Sequence, residues 1–423
     1  MSSTRSRKSQ LVLAIGVQGL GALVVLASNA LLLTRYGGAS YQRLATLLSI
    51  FIAANYFDLG YLGKVRVIAA STQIAPADKR WLAGREFWRF SARIALFELG
   101  LAAVWFVAGR RSPLLTDGAV ALAVAPLVVH VNAYRAFLEG SGRLIGSSVL
   151  RTAFGILVGV SPFCAVWLLG DLFDFPYVVA TVAIVLTAGF YVAAIGSAGG
   201  RRAAGAGATL PRSGTIAALE TIYILFGAAF LYGDRFALLF LENSARAGTY
   251  VFVLELVSRV SLLYVPIVMQ GFPRLVQTVE SAPREAHAFA RRLDRKVLVV
   301  IGAAMAAGLV VALALALHGR LPATVDWQLA CVLAVPLALA YTLNASSYLH
   351  QRFTIVAHDR PRTVLLGYAG LLAGTALAFV LLYRQFGVVG VAVAFLLRAA
   401  GENLFLRRIL ADEQRRAVAG NAP

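Results

Sequence analysis

Long apolar stretches alternate along this chain with short basic ones, and the lengths of the apolar stretches set its class. Twelve of them lie near 11–33, 44–63, 94–109, 118–137, 144–169, 176–196, 214–233, 247–271, 297–318, 327–348, 363–383 and 387–406. A helix rises about 1.5 Å per residue, so stretches of about 20 residues cross about 30 Å of hydrocarbon. The third is short and is expected to begin earlier, near Phe87. Hydrocarbon offers the backbone no hydrogen-bond partners, which leaves helices that satisfy their own amides and carbonyls. The pattern predicts an all-α integral membrane protein of about twelve transmembrane helices.

The polar positions between these stretches give the orientation. Of the 39 Lys and Arg residues, 28 fall in the N-terminal segment, the C-terminal tail and alternate loops, 8 in the opposite loops and 3 inside the stretches. The basic side is expected to be cytoplasmic, with both termini on it. A run of glycine, arginine and alanine from Gly199 to Gly207 marks a linker, with six stretches on either side. The layout from Leu11 to Gln73 is repeated from Thr215 to Thr278. An even number of helices per half gives a parallel repeat about an axis normal to the membrane. The expected organisation is therefore a lobe at 1–198, a linker at 199–213, a second lobe at 214–410 and a tail at 411–423, with the lobes around a central cavity.

Composition narrows the reading. At 423 residues the chain is 59% hydrophobic and 14% charged, against about 25% charged in soluble domains. A net charge of +19 would suggest nucleic acid for a soluble protein. Here the basic residues sit in short loops and report topology instead. Cys164 and Cys331 both lie in apolar stretches, giving neither a disulfide framework nor a metal cluster. The N-terminal Arg5, Arg7 and Lys8 precede an apolar run too long for a signal peptide, which is expected to be the first spanning helix. No Gly-rich phosphate loop ending in Gly-Lys occurs. His350 and His358 lack a third ligand nearby, and the outer loops are too short for sugar chemistry. A transporter without a cofactor is expected rather than an enzyme, with H+ or Na+ as a coupling ion.

The charges inside the membrane are the candidate site. Arg259 and Arg398 each lie near the middle of a stretch, where insertion of Arg costs on the order of 2.5–3.5 kcal/mol. Glu255 precedes Arg259 by four residues and Glu402 follows Arg398 by four, so each helix presents both signs on one face. Either the pairs are structural staples, or they line the cavity and loosen when an anion arrives. The planar guanidinium binds phosphate oxygens in pairs and stays charged at any relevant pH. Arg151, near the basic end of its stretch, can either snorkel to the interface or join this cationic lining. Asp58 and Asn55, with Glu220, could bind a coupling ion or partner a nearby arginine. Asp234, Arg235 and Arg35 are expected near the outer mouth, as solvated interface charges or as its cationic rim.

Three short motifs add a family resemblance. Tyr56-Phe57-Asp58-Leu59-Gly60-Tyr61-Leu62-Gly63, Phe137-Leu138-Glu139-Gly140-Ser141-Gly142-Arg143 and Gln385-Phe386-Gly387-Val388-Val389-Gly390-Val391-Ala392 are similar to segments of polysaccharide exporters. With the helix count and the two lobes, the chain resembles the Wzx-type flippases of the multidrug/oligosaccharidyl-lipid/polysaccharide exporter superfamily. That resemblance implies a bacterial inner-membrane protein that moves an undecaprenyl-pyrophosphate-linked oligosaccharide outward by alternating access. It also implies membrane lipids, a polysaccharide polymerase and glycosyltransferases as partners, and no nucleic acid. A cation-coupled drug or small-molecule antiporter of the same superfamily is the first alternative. A membrane scaffold that transports nothing is the second.

Overall fold

In the computed structural model the described residues are 2–54, 60–109, 113–194, 212–241, 245–317 and 326–419. Every long element among them is an α-helix: α1 (Ser2–Ala54), α2 (Tyr61–Ala70), α3 (Pro76–Gly109), α4 (Pro113–Gly140), α5 (Leu144–Leu169), α6 (Phe175–Ala194), α7 (Ser213–Leu241), α8 (Ala245–Ser258), α9 (Ser261–Ser281), α10 (Pro283–Leu317), α11 (Trp327–Ala357), α12 (Pro361–Phe386) and α13 (Val388–Ala419). Among the described residues eight helical spans are long and apolar enough to cross a membrane, including Ser9–Tyr36, Trp81–Val107, Arg246–Ser281 and Val388–Arg415. Apart from short turns at Gly60, at Arg259 and Val260, and at Gly387, each of the twelve stretches is helical wherever it is described. The chain is an all-α, multi-pass membrane protein.

The helix ends depart from the sequence reading in five places. The turn expected between the first two stretches is helical, because 34–43 contains no proline, and Gly37 and Gly38 weaken a helix without forbidding it. The second stretch, expected to end at Gly63, instead yields the end of α1 and a separate α2, with 55–59 outside the described residues. The long basic loops are themselves helical. Pro76 and Pro283, each preset for a first helical turn, open helices of 34 and 35 residues at matching places in the two halves. The eighth stretch breaks at Arg259 and Val260, where Leu262 and Leu263 turn to 3-10 bonds on the carbonyls of those two residues. Pro266, one turn beyond, cannot donate to Leu262 and crowds its carbonyl. The tail expected from 411 continues α13 to Ala419, and the linker is described only at Arg212 and Ser213.

The chain resolves into two compact units. The first holds residues 1–29, 43–225 and 272–277, and the second holds 30–42, 226–271 and 278–423. In the first unit α4 is central, packing on α2, α3, α5 and α6. Tyr61, Leu62 and Val65 of α2 meet Val129, Ala133 and Ala136 of α4 there. In the second unit α11 and α13 lie together, flanked by α8, α10 and α12.

How much of each span is covered differs widely. The apolar windows of α3 and α12 are 12% and 11% buried, whereas those of α8–α9 and α13 are 56% buried. The first pair presents leucines and valines outward, as lipid-facing helices do. The second pair carries Arg259 and Arg398.

Two of the motif segments owe their glycines to close packing. Gly60 caps α2 with φ +76, and a Cβ there would lie 2.2 Å from the carbonyl oxygen of Ala217. Gly387 turns the chain between α12 and α13 with φ +57, and a Cβ on Gly390 would meet the carbonyl oxygen of Leu382 at 2.1 Å. Only glycine permits both the backbone and the approach.

Candidate functional site

The second unit gathers its buried charges from α7, α8, α11, α12 and α13. Arg235 closes the apolar span of α7 and forms a very short ion pair with Glu255 of α8. Arg259 donates to the other oxygen of Glu255 at 2.8 Å, so one carboxylate joins two guanidinium groups. Asp234 accepts the hydroxyl of Tyr250 and, at 2.8 Å, the backbone N–H of Arg235. Tyr341 of α11 sits in the fields of Arg235, Glu255, Asp234 and Arg398, which links this group to the next.

Glu402 organises the second group. Its Oε1 accepts the hydroxyl of Tyr368 at 2.6 Å and the amide of Gln351 at 2.8 Å, while Oε2 accepts Nη1 of Arg398 at 2.7 Å. The carboxylate thus meets three donors, while its arginine spends a single nitrogen on it. Nε and Nη2 of Arg398 are buried and meet no acceptor among the described residues, although the residue is only 4% exposed. The ring of Phe395 lies 4.6 Å from the guanidinium and that of Phe230 lies 5.2 Å from it, holding it by cation–π contact. Tyr368 packs against Phe226, Phe230 and Phe405.

Helices α11 and α13 run parallel, paired through Tyr341 and Phe395 at one level and through Gln351 and Glu402 further along. Asn344 falls between these levels, and its buried amide also finds no partner among the described residues. Two donors of a guanidinium and a whole amide left open are expensive in an apolar interior. The arrangement can take an anionic or strongly accepting group against Arg398, in a setting of aromatic rings.

The first unit contains a contrasting cluster. Glu139, at the end of α4, accepts Nε of Arg66 at 3.0 Å, Nη2 of Arg151 at 3.2 Å and the hydroxyl of Ser147 at 3.2 Å. Arg135 lies 3.5 Å from it, one turn back. Arg66 reaches on to Glu220 of α7 at 3.2 Å. Four helices, α2, α4, α5 and α7, are tied together there.

The sequence-predicted residues are therefore divided. Arg235, Glu255, Arg259, Arg398 and Glu402 come together in the second unit. Arg151 and Glu220 belong to the Glu139 cluster, where Glu220 serves as partner to an arginine. Arg35 is exposed, with its guanidinium 5.8 Å from the ring of Tyr36, and Asp58 lies outside the described residues. The expectation of solvated charge at Asp234 and Arg235 is corrected: they are 9% and 6% exposed, because α8 supplies Glu255 and Tyr250 to pair with them. Lys64 and Arg66, assigned to a loop by the sequence, are buried within α2. Sequence reasoning also missed Tyr368, Gln351 and Asn344, which lie among other polar residues on α11 and α12 with no spacing that sets them apart. It missed Glu98 too, the lone acid of the third stretch.

No protein-family model and no curated protein matches the sequence. Solved structures match it over almost its whole length. The MATE multidrug transporter DinF-BH, solved in complex with a ligand, is 12% identical, covering 96% of this chain and 95% of that one with a TM-score of 0.63. A mutant of the Vibrio cholerae MATE transporter VcmN is 13% identical, covering 100% and 99% with a TM-score of 0.63. The fold is that of the MATE transporters. A further match is a MOP superfamily transporter from Pyrococcus furiosus at 13% identity, covering 98% and 95% with a TM-score of 0.60. For that protein a reverse polarity of the binding pocket has been taken to suggest a different function. At these identities the shared property is the fold of the superfamily; the Wzx-type member expected from the motifs is not singled out.

Proposed function

We propose that this protein is a secondary transporter of amphipathic small molecules, working as an ion-coupled antiporter. The full-length agreement with the fold of MATE multidrug transporters carries this reading. The second unit supports it chemically, because aromatic rings and buried charges converge there as they must to hold a solute with an apolar body and a polar group. Burial of Arg398 on α13 keeps it from lipid and makes its charge available inside the protein, whereas Arg259 is partly exposed.

A specific observation favours a second reading of the solute. Glu402 is engaged by three donors, while two nitrogens of Arg398, Nε and Nη2, meet no acceptor among the described residues. A cationic drug would meet a guanidinium there, and an anion would meet open donors. A phosphate- or pyrophosphate-bearing lipid, such as a polyprenyl-pyrophosphate-linked oligosaccharide, is the anionic solute that the motif resemblance implies. Movement of such a lipid in a bacterial inner membrane, beside a polymerase and glycosyltransferases, belongs to this second reading.

Proteoliposomes holding the purified chain distinguish the two. A fluorescent cationic rhodamine dye and a fluorescent polyprenyl phosphate are each assayed under a proton and a sodium gradient. Gradient-driven movement of the rhodamine supports the antiporter reading, and movement of the phosphate lipid alone supports the flippase reading. Transport of neither under any gradient would overturn both.

A further inference from the structure

Helix α3 is almost bare, yet one strong polar group is hidden on it. Leu96, Phe97, Leu99, Val104, Phe106 and Val107 are exposed apolar side chains, as on a helix facing lipid. Leu82, Glu86, Glu98 and Ala102 form its narrow buried stripe. Glu98 is 1% exposed, and neither carboxyl oxygen has a hydrogen-bond partner among the described residues. It stands about eleven residues, or roughly 16 Å of helix, from both Phe87 and Gly109, which is mid-depth for this span.

Among the described side chains, the helices packed against α3 bring no counter-charge to Glu98. Lys64 of α2 pairs with Glu86, and Arg66 of α2 pairs with Glu139 and Glu220. On α4, Arg135 pairs with Glu139, and the side chains of Asp117 and His130 lie outside the described set. On α3 itself Arg85 and Arg89 stand beside Glu86, three turns from Glu98, and Arg93, five residues before Glu98, is exposed. An ionised carboxylate without a cation or a donor is not tolerated in such a place, so the side chain is a neutral acid in this state. A neutral acid with no partner still weakens the packing of α3 on α4, which an alanine or leucine would not do.

We propose that Glu98 is the proton-carrying group of the transport cycle. In the state described here it is protonated and shut away between α3 and its neighbours. When α3 moves and water enters, the carboxyl O–H bond breaks heterolytically. The proton passes to water, and the carboxylate remains until it is reprotonated from the other side. A proton needs a single carboxyl group, whereas a hard metal cation needs a shell of several oxygens. Among the described residues no group of three acid, histidine or cysteine side chains could hold a metal ion, and the ion assigned to Glu98 is H+. The proposal rests on the transporter reading above and supplies the identity of its coupling ion.

The test uses the full chain in lipid, with two readouts. Infrared spectra at neutral pH compare the wild type with Glu98→Gln. The carbonyl band of a protonated carboxylic acid is expected in the wild type and missing from the variant. In proteoliposomes, proton-gradient-driven movement of the rhodamine dye or of a fluorescent polyprenyl phosphate is expected to be lost in Glu98→Gln and partly kept in Glu98→Asp. Unchanged melting of both variants excludes a folding defect. Absence of the acid band from the wild type would overturn the proposal, as would an unaltered pH dependence of transport in Glu98→Gln. A wild type that shows the band but moves neither probe under any gradient refutes the transport reading, and the coupling role falls with it. The band thus separates failure of the assignment from failure of the function.

Discussion

Two clusters, one in each unit, bury charge in different ways. In the first, the acid Glu139 is at the centre and is surrounded by Arg66, Arg135, Arg151 and Ser147. In the second, Glu255 is paired with two arginines and Glu402 meets three donors, but Nε and Nη2 of Arg398 have no acceptor among the described residues. A closed cluster has no chemistry left to offer and acts as a tie among helices. An open one has donors to give to something else. Buried ion pairs are weak evidence of net stability, yet breaking one by removal of a partner is severe. The contrast therefore separates a residue whose loss should damage the fold from one whose loss should damage function.

The largest effect is expected at Arg66. Arg66→Ala leaves Glu220 without that partner and Glu139 with one guanidinium fewer. It should destabilise the protein by about 3–5 kcal/mol, seen as a large fall in melting temperature in detergent. A melting temperature equal to the wild type would erase the distinction between the units.

Arg398→Ala should behave differently. Glu402 keeps Tyr368 and Gln351 as donors but loses its arginine partner in a buried site, so a cost of about 3 kcal/mol is expected, and movement of an anionic amphiphile is lost as well. Arg398→Lys should preserve part of it, because the charge remains and the fork does not. If Arg398→Ala is restored to full activity by adding Glu402→Gln, the pair is a staple and the contrast fails.

Tyr368→Phe sharpens the comparison from the acid's side. It removes one of three donors from Glu402 and should cost about 1 kcal/mol, measured by thermal or denaturant unfolding. The smallest effect is expected at Arg151, whose side chain is 20% exposed and is one of three arginines on Glu139. Arg151→Ala should lower stability by less than about 1 kcal/mol. A loss as large as that of Arg66→Ala would make the cluster a single cooperative unit.

Much of this was legible in the residues. The twelve apolar stretches, the mid-span positions of Arg259 and Arg398 and their i, i+4 acids are one-dimensional facts, and the acid–arginine pairs reappear on the helices. The contacts across helices were not legible. Glu255 is four residues from Arg259, but its second partner Arg235 lies twenty residues away on α7. Nothing in the spacing of Arg66, Glu139 and Glu220 announces that α2, α4 and α7 meet.

By itself, the sequence determined that this chain is helical, crosses the membrane many times and carries cations at mid-depth. Hydrocarbon thickness and backbone hydrogen bonding impose those properties on any stretch of such composition. Only the tertiary structure decided which charges are neutralised. A carboxylate has a few oxygens to offer, and the side chains that reach them depend on which helices pack together, not on how far apart the residues stand in the chain. Among the described residues, Arg398 is left with open donors because Phe395 and Phe230 stand against its guanidinium, and Glu98 is left with no donor at all.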